Sequence, residues 1–575
     1  MKETGEEALR RQQRGRPWTL LPLAALLSAA PLAATSGADA QCSVVEKGFT
    51  ELQQAMADGR TTARAITTQY LERIARYNDD LNAALAVNNR ALEYADALDR
   101  ERAAGRVRGP LHGIPVALKD LIQTTDMPTT GGALALRGYV PPYEATLSRK
   151  LRDAGAIIIA KTTLTELANW MSTDFPNGYN ALAGHSYNPY NPALHPGFTD
   201  GRGQLDTGGS SSASGTAANL WAANVGTETS GSIMSPASIN WLVGIKPTVG
   251  RISRHGVIPL TADQDTPGPM ARSVADAAVL LATMEGPDAA DPATDACPPL
   301  PGDDAWTGAA ITDLSGLRIG IPQAFYVNAA TPPGQQSPIG GLPAAAAERL
   351  REAGAVLETL GAAVIEPADI PSITAPRAGD NFLSFGICAY PSQVRGADGS
   401  CSLVAKYGMK RDFNCWLATL GDSAPLTSLD DLIERNRALA PHGAIRYGQA
   451  RLELSATVDL ARDQERYQGD RARDLRLART EGIDAALEAH ALDALLFPAA
   501  AGARLINKAG YPAVTVPFGS VPLADDQDHR EADDAATRPW AVTFAAGACA
   551  EPTLLRIAGA FERATRARRP PPAFP

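Results

Sequence analysis

The chain has 575 residues, of which 53 are Lys or Arg and 63 are Asp or Glu, giving a formal net charge of −10. Hydrophobic residues make up 45% of the sequence and charged residues 20%, a composition typical of a globular protein with a large core. The acidic balance and the wide spacing of the basic residues argue against nucleic acid as the main partner, because phosphate binding needs a basic surface.

The first forty residues predict export. Residues 1–16 contain five basic side chains, residues 18–34 form an apolar run, and residues 38–40 have the Ala-x-Ala pattern of a cleavage site. This order is typical of a secretory signal peptide over residues 1–40. The mature protein is therefore expected in the periplasm or outside the cell, and it is not expected to associate with a membrane. An uncleaved membrane anchor is the alternative, although two prolines interrupt the apolar run.

Short apolar strands alternate with helical segments along the chain, which predicts an α/β layer fold. Helical periodicity covers residues 45–105, 147–151, 217–223 and 443–490, and strands are predicted at residues 113–118, 156–160, 317–322, 494–497 and 513–516. Non-regular structure is predicted for a long loop at 175–209, a linker at 286–304, an irregular region at 371–425, a surface loop at 523–536 and a disordered tail at 568–575.

The six cysteines suit an exported protein, because an even number permits disulfides in an oxidising compartment. Cys388, Cys401 and Cys415 lie close together in the sequence, so one pair is expected among them, and the sequence leaves open which. Neither a C-x-x-C nor an H-x-x-x-H spacing occurs, and the seven histidines are scattered. We therefore predict no metal site and no other cofactor.

Two Gly/Ser clusters, at residues 208–212 and 227–232, are the best candidates for a reactive site. Glycine lets backbone N–H groups converge on one point, as an oxyanion hole requires. A serine in such a turn needs a base to act as a nucleophile. No histidine falls in either cluster and no G-x-S-x-G elbow is present, which disfavours an α/β-hydrolase. Lys119 follows a buried strand, where burial lowers a lysine pKa towards neutrality, and is the alternative base.

Several motifs together resemble the amidase signature family, most of all its bacterial peptide-amidase-like branch. They are GIPVALKD at 113–120, AKTT at 160–163, the Gly/Ser-rich block, GIKPT at 244–248, QDTPGPM at 264–270, SVADA at 273–277 and AGYP at 509–512. The resemblance covers roughly residues 45–567. It implies one large α/β domain over residues 41–567, with a mixed central β-sheet flanked by helices on both faces. The catalytic core would span about 110–285, the linker 286–304 and a variable substrate region about 371–440.

The family implies a Ser-cisSer-Lys triad that hydrolyses amides through an acyl-enzyme. Carried over by motif, Ser232 is the nucleophile, Lys119 the base, and Ser210 the bridging serine with a cis peptide bond. The backbone N–H groups of Thr229, Ser230 and Gly231 would form the oxyanion hole. The resemblance implies no cofactor.

Two departures from the family pattern leave alternatives open. The segment from Ser210 to Ser232 is about two residues shorter than the pattern. An ungapped alignment back from Ser232 places the bridge on Gly208, and a gap before the serines would let Ser211 or Ser212 serve. Ser230 stands where the family often has Gly or Asp, which affects the oxyanion turn or the pocket.

Other polar residues of these motifs have simpler explanations. Lys161 and Lys246 favour structural roles near strand ends, and Asp265 is expected to tie down a loop by accepting backbone hydrogen bonds. Ser211 and Ser212 favour helix N-cap roles.

The leading hypothesis is an exported amide hydrolase that acts on a peptide C-terminal amide or another small to medium acyl amide. An esterase of the same mechanism and a non-catalytic binding protein on the same fold are alternatives. A glutamine-dependent amidotransferase component is disfavoured by the export signal. The sequence does not reveal the oligomeric state. The loop 175–209 and the region 371–440 are expected to shape the acyl pocket.

Overall fold

The computed structural model describes residues 42–300, 312–523 and 536–575. The predicted signal peptide, the last residues of the predicted linker and nearly all of the predicted surface loop at 523–536 lie outside these ranges. Within the described residues, no helix combines the length and the apolar character needed to cross a bilayer.

The strands of the structure are short, as expected for a layered α/β protein. Their bounds are β1 Ala84–Val87, β2 Pro115–Lys119, β3 Ile157–Thr162, β4 Tyr179–Asn180, β5 Gly184–His185, β6 Ala223–Glu228, β7 Val243–Lys246, β8 Thr266–Ala271, β9 Arg318–Gly320, β10 Ala363–Ile365, β11 Gly386–Ile387, β12 Cys401–Ser402, β13 Ala494–Pro498, β14 Ala513–Pro522 and β15 Thr537–Ala545.

Helices connect most of these strands. Their bounds are α1 Phe49–Ala57, α2 Ala63–Leu81, α3 Ala91–Ala103, α4 Thr146–Asp153, α5 Ser212–Ala217, α6 Met234–Ile239, α7 Val274–Met284, α8 Ala344–Thr359, α9 Pro371–Thr374, α10 Val404–Thr419, α11 Leu429–Ala438, α12 Ala450–Ala456, α13 Gln464–Leu475, α14 Asp484–His490, α15 Ala503–Ala509 and α16 Glu551–Thr565. A π-helical segment, Arg476–Ile483, joins α13 to α14.

Eleven strands form one mixed sheet in the order β1-β3-β2-β6-β8-β7-β14-β15-β13-β9-β10. Strand β2 lies between β3 and β6 and runs parallel to both. All three strands are completely buried, as expected for parallel strands covered on both faces. Because parallel strands end at the same edge of a sheet, Lys119 at the end of β2 lies beside the end of β6. The predicted α/β class and mixed sheet are confirmed.

The helix predicted at residues 217–223 is displaced in the structure. Helix α5 ends at Ala217, and Asn219 adopts a left-handed φ of 57° that stops the helix. The chain then folds back, because the Trp221 indole donates to Thr216 Oγ1 at 2.7 Å. A Cβ on Gly215 would lie 2.1 Å from the Trp221 ring, so glycine is needed for this close packing.

Helix α10 lies within the region that was predicted to be irregular. Its buried face includes Met409, Phe413 and Trp416, at the spacing of one side of a helix. The prediction missed it because glycines and prolines recur on both sides of the helix, at residues 371–399 and 421–425.

Two disulfides are present, Cys297–Cys549 and Cys388–Cys401. The second is one of the pairs that the sequence left open. Cys42 and Cys415 are free thiols.

The C-terminal tail is ordered, which corrects the prediction of disorder for residues 568–575. Phe574 is buried and packs edge-on against Tyr77, with ring centroids 5.4 Å apart. The Arg73 guanidinium donates to the Pro575 carbonyl at 2.7 Å, and Arg568 forms an ion pair with Glu46 at 2.7 Å. A proline-rich composition suggested disorder, but one aromatic ring and two charge-assisted contacts hold this segment on α2 and the N-terminal turn.

Candidate active site

Lys119 is a completely buried amine at the end of β2. Its Nζ donates to the Thr227 carbonyl at 3.2 Å. Burial lowers the pKa of the amine to about 7, although the carboxylates of Asp265 and Glu228 oppose this change. A substantial fraction of Lys119 is therefore neutral near pH 7 and able to accept a proton.

The hydroxyl of Ser210 and the amine of Lys119 share one hydrogen-bond acceptor. Ser210 Oγ donates to the Thr227 carbonyl at 3.1 Å, so the Ser210 hydroxyl and the Lys119 amine surround one oxygen atom. A Cβ on Gly226 would lie 2.9 Å from Ser210 Oγ, which is too close for a real side chain. Glycine at position 226 thus leaves the room that the serine occupies.

The other two candidates for the bridging position point elsewhere. Ser211 Oγ donates to the Gly208 carbonyl at 3.1 Å, and Ser212 Oγ accepts from Asn224 Nδ2 at 2.8 Å. Ser211 occupies the N-cap position of α5 but makes no side-chain capping bond. Of the three adjacent serines, Ser210 is the one that shares an acceptor with Lys119.

The peptide bond before Ser210 is trans. Among the described residues, the cis bond is the one between Glu366 and Pro367. The cis geometry that the resemblance implies at Ser210 is therefore corrected. A trans bond is the ordinary state, since cis costs about 2.5–4 kcal/mol at a non-proline residue. The Ser210 hydroxyl reaches the Thr227 carbonyl with this geometry.

Ser232 lies in the turn between β6 and α6 and is half-buried. A Cβ on Gly209 would lie 2.2 Å from Ser232 Oγ, so this hydroxyl rests directly against the Gly209 backbone. Because Gly209 precedes Ser210, the fold brings Ser232 next to the residue that shares a carbonyl with Lys119. The three residues selected from the sequence thus meet at one edge of the sheet.

The predicted oxyanion turn has free donors. The backbone N–H groups of residues 229–232 form no hydrogen bond within the described parts of the chain. Gly231 has a φ of 104°, a conformation that favours glycine. Thr229 is half-buried and Ser230 is exposed. Unpaired N–H groups in a tight turn are what an oxyanion needs for stabilisation.

Glu228 fixes the two ends of this turn, a role that the sequence analysis missed. Its Oε2 accepts the N–H groups of Ile233 at 2.6 Å and Met234 at 2.9 Å, at the start of α6. Its Oε1 accepts from Asn507 on α15 at 2.6 Å. An acidic residue shortly before a helix is a possible capping signal, but the long-range contact with Asn507 has no local pattern.

The two other lysines of the family-like motifs have structural partners. Lys161 forms a buried ion pair with Asp120 at 3.1 Å and donates to Thr129 Oγ1 at 2.7 Å. Lys246 donates to the Tyr511 carbonyl at 2.5 Å, and burial lowers its pKa to about 8.

A cleft of about 240 Å³ adjoins the turn and is lined by Thr227 and Thr229. Its other walls are largely apolar or aromatic and include Leu121, Tyr143, His255, Ile258, Pro267 and Trp416. The Tyr143 ring stacks on His255 with centroids 4.9 Å apart, and its hydroxyl contacts Thr419 Oγ1 at 2.5 Å. Helix α10 therefore forms one side of the cleft.

The charged residues at the cleft have partners in the protein. Arg254 forms an ion pair with Asp291 at 2.5 Å, and Asp412 accepts from the Arg411 guanidinium at 2.6 Å. Asp265 accepts the hydroxyl of Thr229 at 2.5 Å. The cleft thus offers mainly apolar surface, and each of these charged groups has an ion-pair or hydrogen-bond partner in the protein, which suits a neutral ligand.

Comparisons of the sequence and of the structure with known proteins all point to one family. The model of the Amidase family matches residues 65–555. The structure of a peptide amidase from Stenotrophomonas maltophilia is 36% identical, with a TM-score of 0.76 over 92% of this chain and 98% of that one. An amidase family protein from Bacillus anthracis is 30% identical, with a TM-score of 0.75 and 92% of each chain covered. A relative from Arabidopsis thaliana that is named a probable amidase is 31% identical over 92% of this chain and 92% of its own length.

Proposed function

The chain belongs to the amidase family of amide C–N hydrolases, and we propose that it cleaves a carboxamide through an acyl-enzyme on Ser232. The observation that supports this most strongly is the common Thr227 carbonyl, on which a buried amine with a pKa of about 7 and the Ser210 hydroxyl converge. Ser232 lies against the adjacent Gly209.

In the proposed mechanism, neutral Lys119 accepts the proton of the Ser210 hydroxyl while Ser210 accepts the proton of Ser232. Ser232 Oγ then attacks the carbonyl carbon of the substrate. The N–H groups of residues 229–231 stabilise the resulting oxyanion. When the C–N bond breaks, the leaving nitrogen takes a proton from the Ser210 hydroxyl. Lys119 then gives its proton back to Ser210 and becomes neutral again. Ammonia or an amine departs, and water attacks the acyl-enzyme by the same route to release the acid.

The substrate that the cleft favours has a neutral acyl group of small to medium size. The walls are apolar and aromatic, and the nearby charges are paired. A peptide with a C-terminal carboxamide fits this description, and the similar Stenotrophomonas enzyme is named a peptide amidase. An ester of the same acyl group would form the same acyl-enzyme, so ester hydrolysis is an expected side activity.

The proposed location is the periplasm or the extracellular space. Two disulfides support an oxidising compartment, because such bonds are rare in the cytosol. N-terminal sequencing of the protein recovered from its native host tests this location, and a start at or near Gln41 is the expected result.

A fluorophosphonate probe tests the proposed chemistry without knowledge of the substrate. Near pH 8 we expect a single covalent adduct per chain, which peptide mapping should locate on Ser232. The adduct should abolish hydrolysis of amides and esters. A folded protein that forms no adduct would favour the non-catalytic binding alternative, and an adduct on another serine would contradict the proposed nucleophile.

The free thiol of Cys415 provides a test of the cleft. Cys415 is exposed and lines the cleft, whereas the other free cysteine, Cys42, does not line it. Alkylation with a bulky maleimide is expected to raise KM at least about tenfold for peptide amides, because the reagent would occupy the acyl site. Steady-state kinetics before and after labelling, with mass mapping of the adduct, measures this effect.

Two matched variants serve as controls for the alkylation. Cys415→Ser should abolish the sensitivity to maleimide, and Cys42→Ser should retain it. Complete labelling of Cys415 with unchanged KM and kcat would show that the acyl group binds elsewhere.

A further inference from the structure

Asp265 is a half-buried residue whose two carboxylate oxygens both accept hydrogen bonds at the edge of the active site. Its Oδ2 accepts the N–H groups of Leu260 at 2.7 Å and Thr261 at 2.9 Å, as expected from the sequence for a residue that ties down a loop. Its Oδ1 accepts the Thr229 hydroxyl at 2.5 Å. The carboxylate therefore links a distant loop to the oxyanion turn.

The neighbouring Gln264 holds the main chain of the same residue. Its Nε2 donates to the Thr229 carbonyl at 3.0 Å. Two consecutive side chains thus fix both the hydroxyl and the carbonyl of Thr229. These two bonds restrict rotation of the peptide group between residues 229 and 230. The N–H group of this peptide is one of the free donors of the oxyanion turn. Since an oxyanion hole depends on donors that are already aimed, such bonds would act on the reaction without contact with the substrate.

On these grounds we propose that Asp265 is a positioning residue, which holds Thr229 so that the oxyanion donors stay aligned. The inference rests on the proposed function, because it assigns roles to the same site. It extends that function by adding Asp265, and by giving the side chain of Thr229 a role beside that of its backbone N–H group.

The threonine variants test alignment. Thr229→Val removes the hydroxyl with little change in volume, and Thr229→Ser keeps it. We expect Thr229→Val to lower kcat about 10- to 100-fold with KM within about threefold of the wild type. Thr229→Ser should restore most of kcat. Equal losses in the two variants, or a loss confined to KM, would overturn the proposal.

The Asp265→Ala variant tests the same bond from its other end. It removes the oxygen that accepts the Thr229 hydroxyl, so we expect kcat to fall at least as much as in Thr229→Val. Adding Thr229→Val to Asp265→Ala should then cost little more, because both changes break one contact. Fully additive losses would overturn the proposal.

A crystal structure of Thr229→Val provides a readout that is independent of activity. We expect residues 229–231 to rotate while Ser232 keeps its contact with Gly209. An unchanged turn would overturn the alignment role even if the rate falls. If the wild-type protein forms no fluorophosphonate adduct but the turn rotates as expected, the proposed function fails while the positioning contact stands. If the adduct forms and none of the variants differs from wild type, the inference alone fails.

Discussion

Replacement of Lys119 with methionine is expected to lower kcat/KM for amide hydrolysis about 10⁴-fold while the protein remains folded. Methionine has a similar length but accepts no proton, so the Ser210–Ser232 pair would lose its base. The side chain at position 119 is completely buried, and an apolar group there avoids the cost of burying an amine. Steady-state kinetics and thermal unfolding of the variant measure the two effects separately.

The pH profile of the wild-type enzyme belongs to the same prediction. Burial lowers the pKa of Lys119 to about 7. Below this pH the amine is protonated and cannot accept a proton, so kcat/KM should fall as the pH drops through about 7. Above it the amine is neutral and the rate should level off. An acidic limb near pH 4 to 5 would instead indicate a carboxylate as the essential base.

Lys246 offers the matched control, because it is equally buried and also stands at the end of a sheet strand. Its Nζ contacts the Tyr511 carbonyl and neither serine. Lys246→Met should keep kcat/KM within about tenfold of the wild type. If Lys119→Met retains a tenth of the activity, or if both variants lose it equally, Lys119 is not the base.

The sequence selects the residues of the candidate site better than it predicts their contacts. Lys119 stands at the end of an apolar strand, and Ser210 and Ser232 stand in glycine-rich turns, so local pattern and motif single them out as candidates. The Thr227 carbonyl, which connects Lys119 with Ser210, has no side-chain signature, since every residue has a carbonyl. The choice among the three adjacent serines therefore depended on the fold.

Long-range contacts explain the remaining differences. The bond between Thr229 and Asp265 joins residues on different elements, and sequence spacing gives no indication of it. Helix α5 was placed too late because the apolar residues that follow it resemble a helix, whereas Asn219 and the packing of Trp221 on Gly215 end it early. The tail was predicted to be disordered from its prolines, but Phe574 has a site on α2 that composition cannot reveal.

Gly209→Ala is expected to lower activity strongly, although it removes no functional group. A Cβ at position 209 would stand 2.2 Å from Ser232 Oγ and 2.8 Å from Ser232 Cβ, so the serine or the backbone must move. Displacement of a nucleophile by about 1 Å costs about 10²-fold or more. We expect the rates of hydrolysis and of fluorophosphonate labelling to fall at least about 10²-fold, with about 1–3 kcal/mol lost from the free energy of unfolding.

The cause of that loss can be isolated with two further variants. Gly469→Ala on α13 adds the same methyl group where no atom lies within 4 Å, and it should leave activity unchanged. The double variant Gly209→Ala/Ser232→Gly removes the side chain that the new methyl group meets. It should recover most of the lost stability while remaining inactive, because the steric conflict is relieved but the nucleophile is absent. If stability does not recover, the Gly209 backbone and Ser232 are not in contact, and the proposed assembly of the site is wrong.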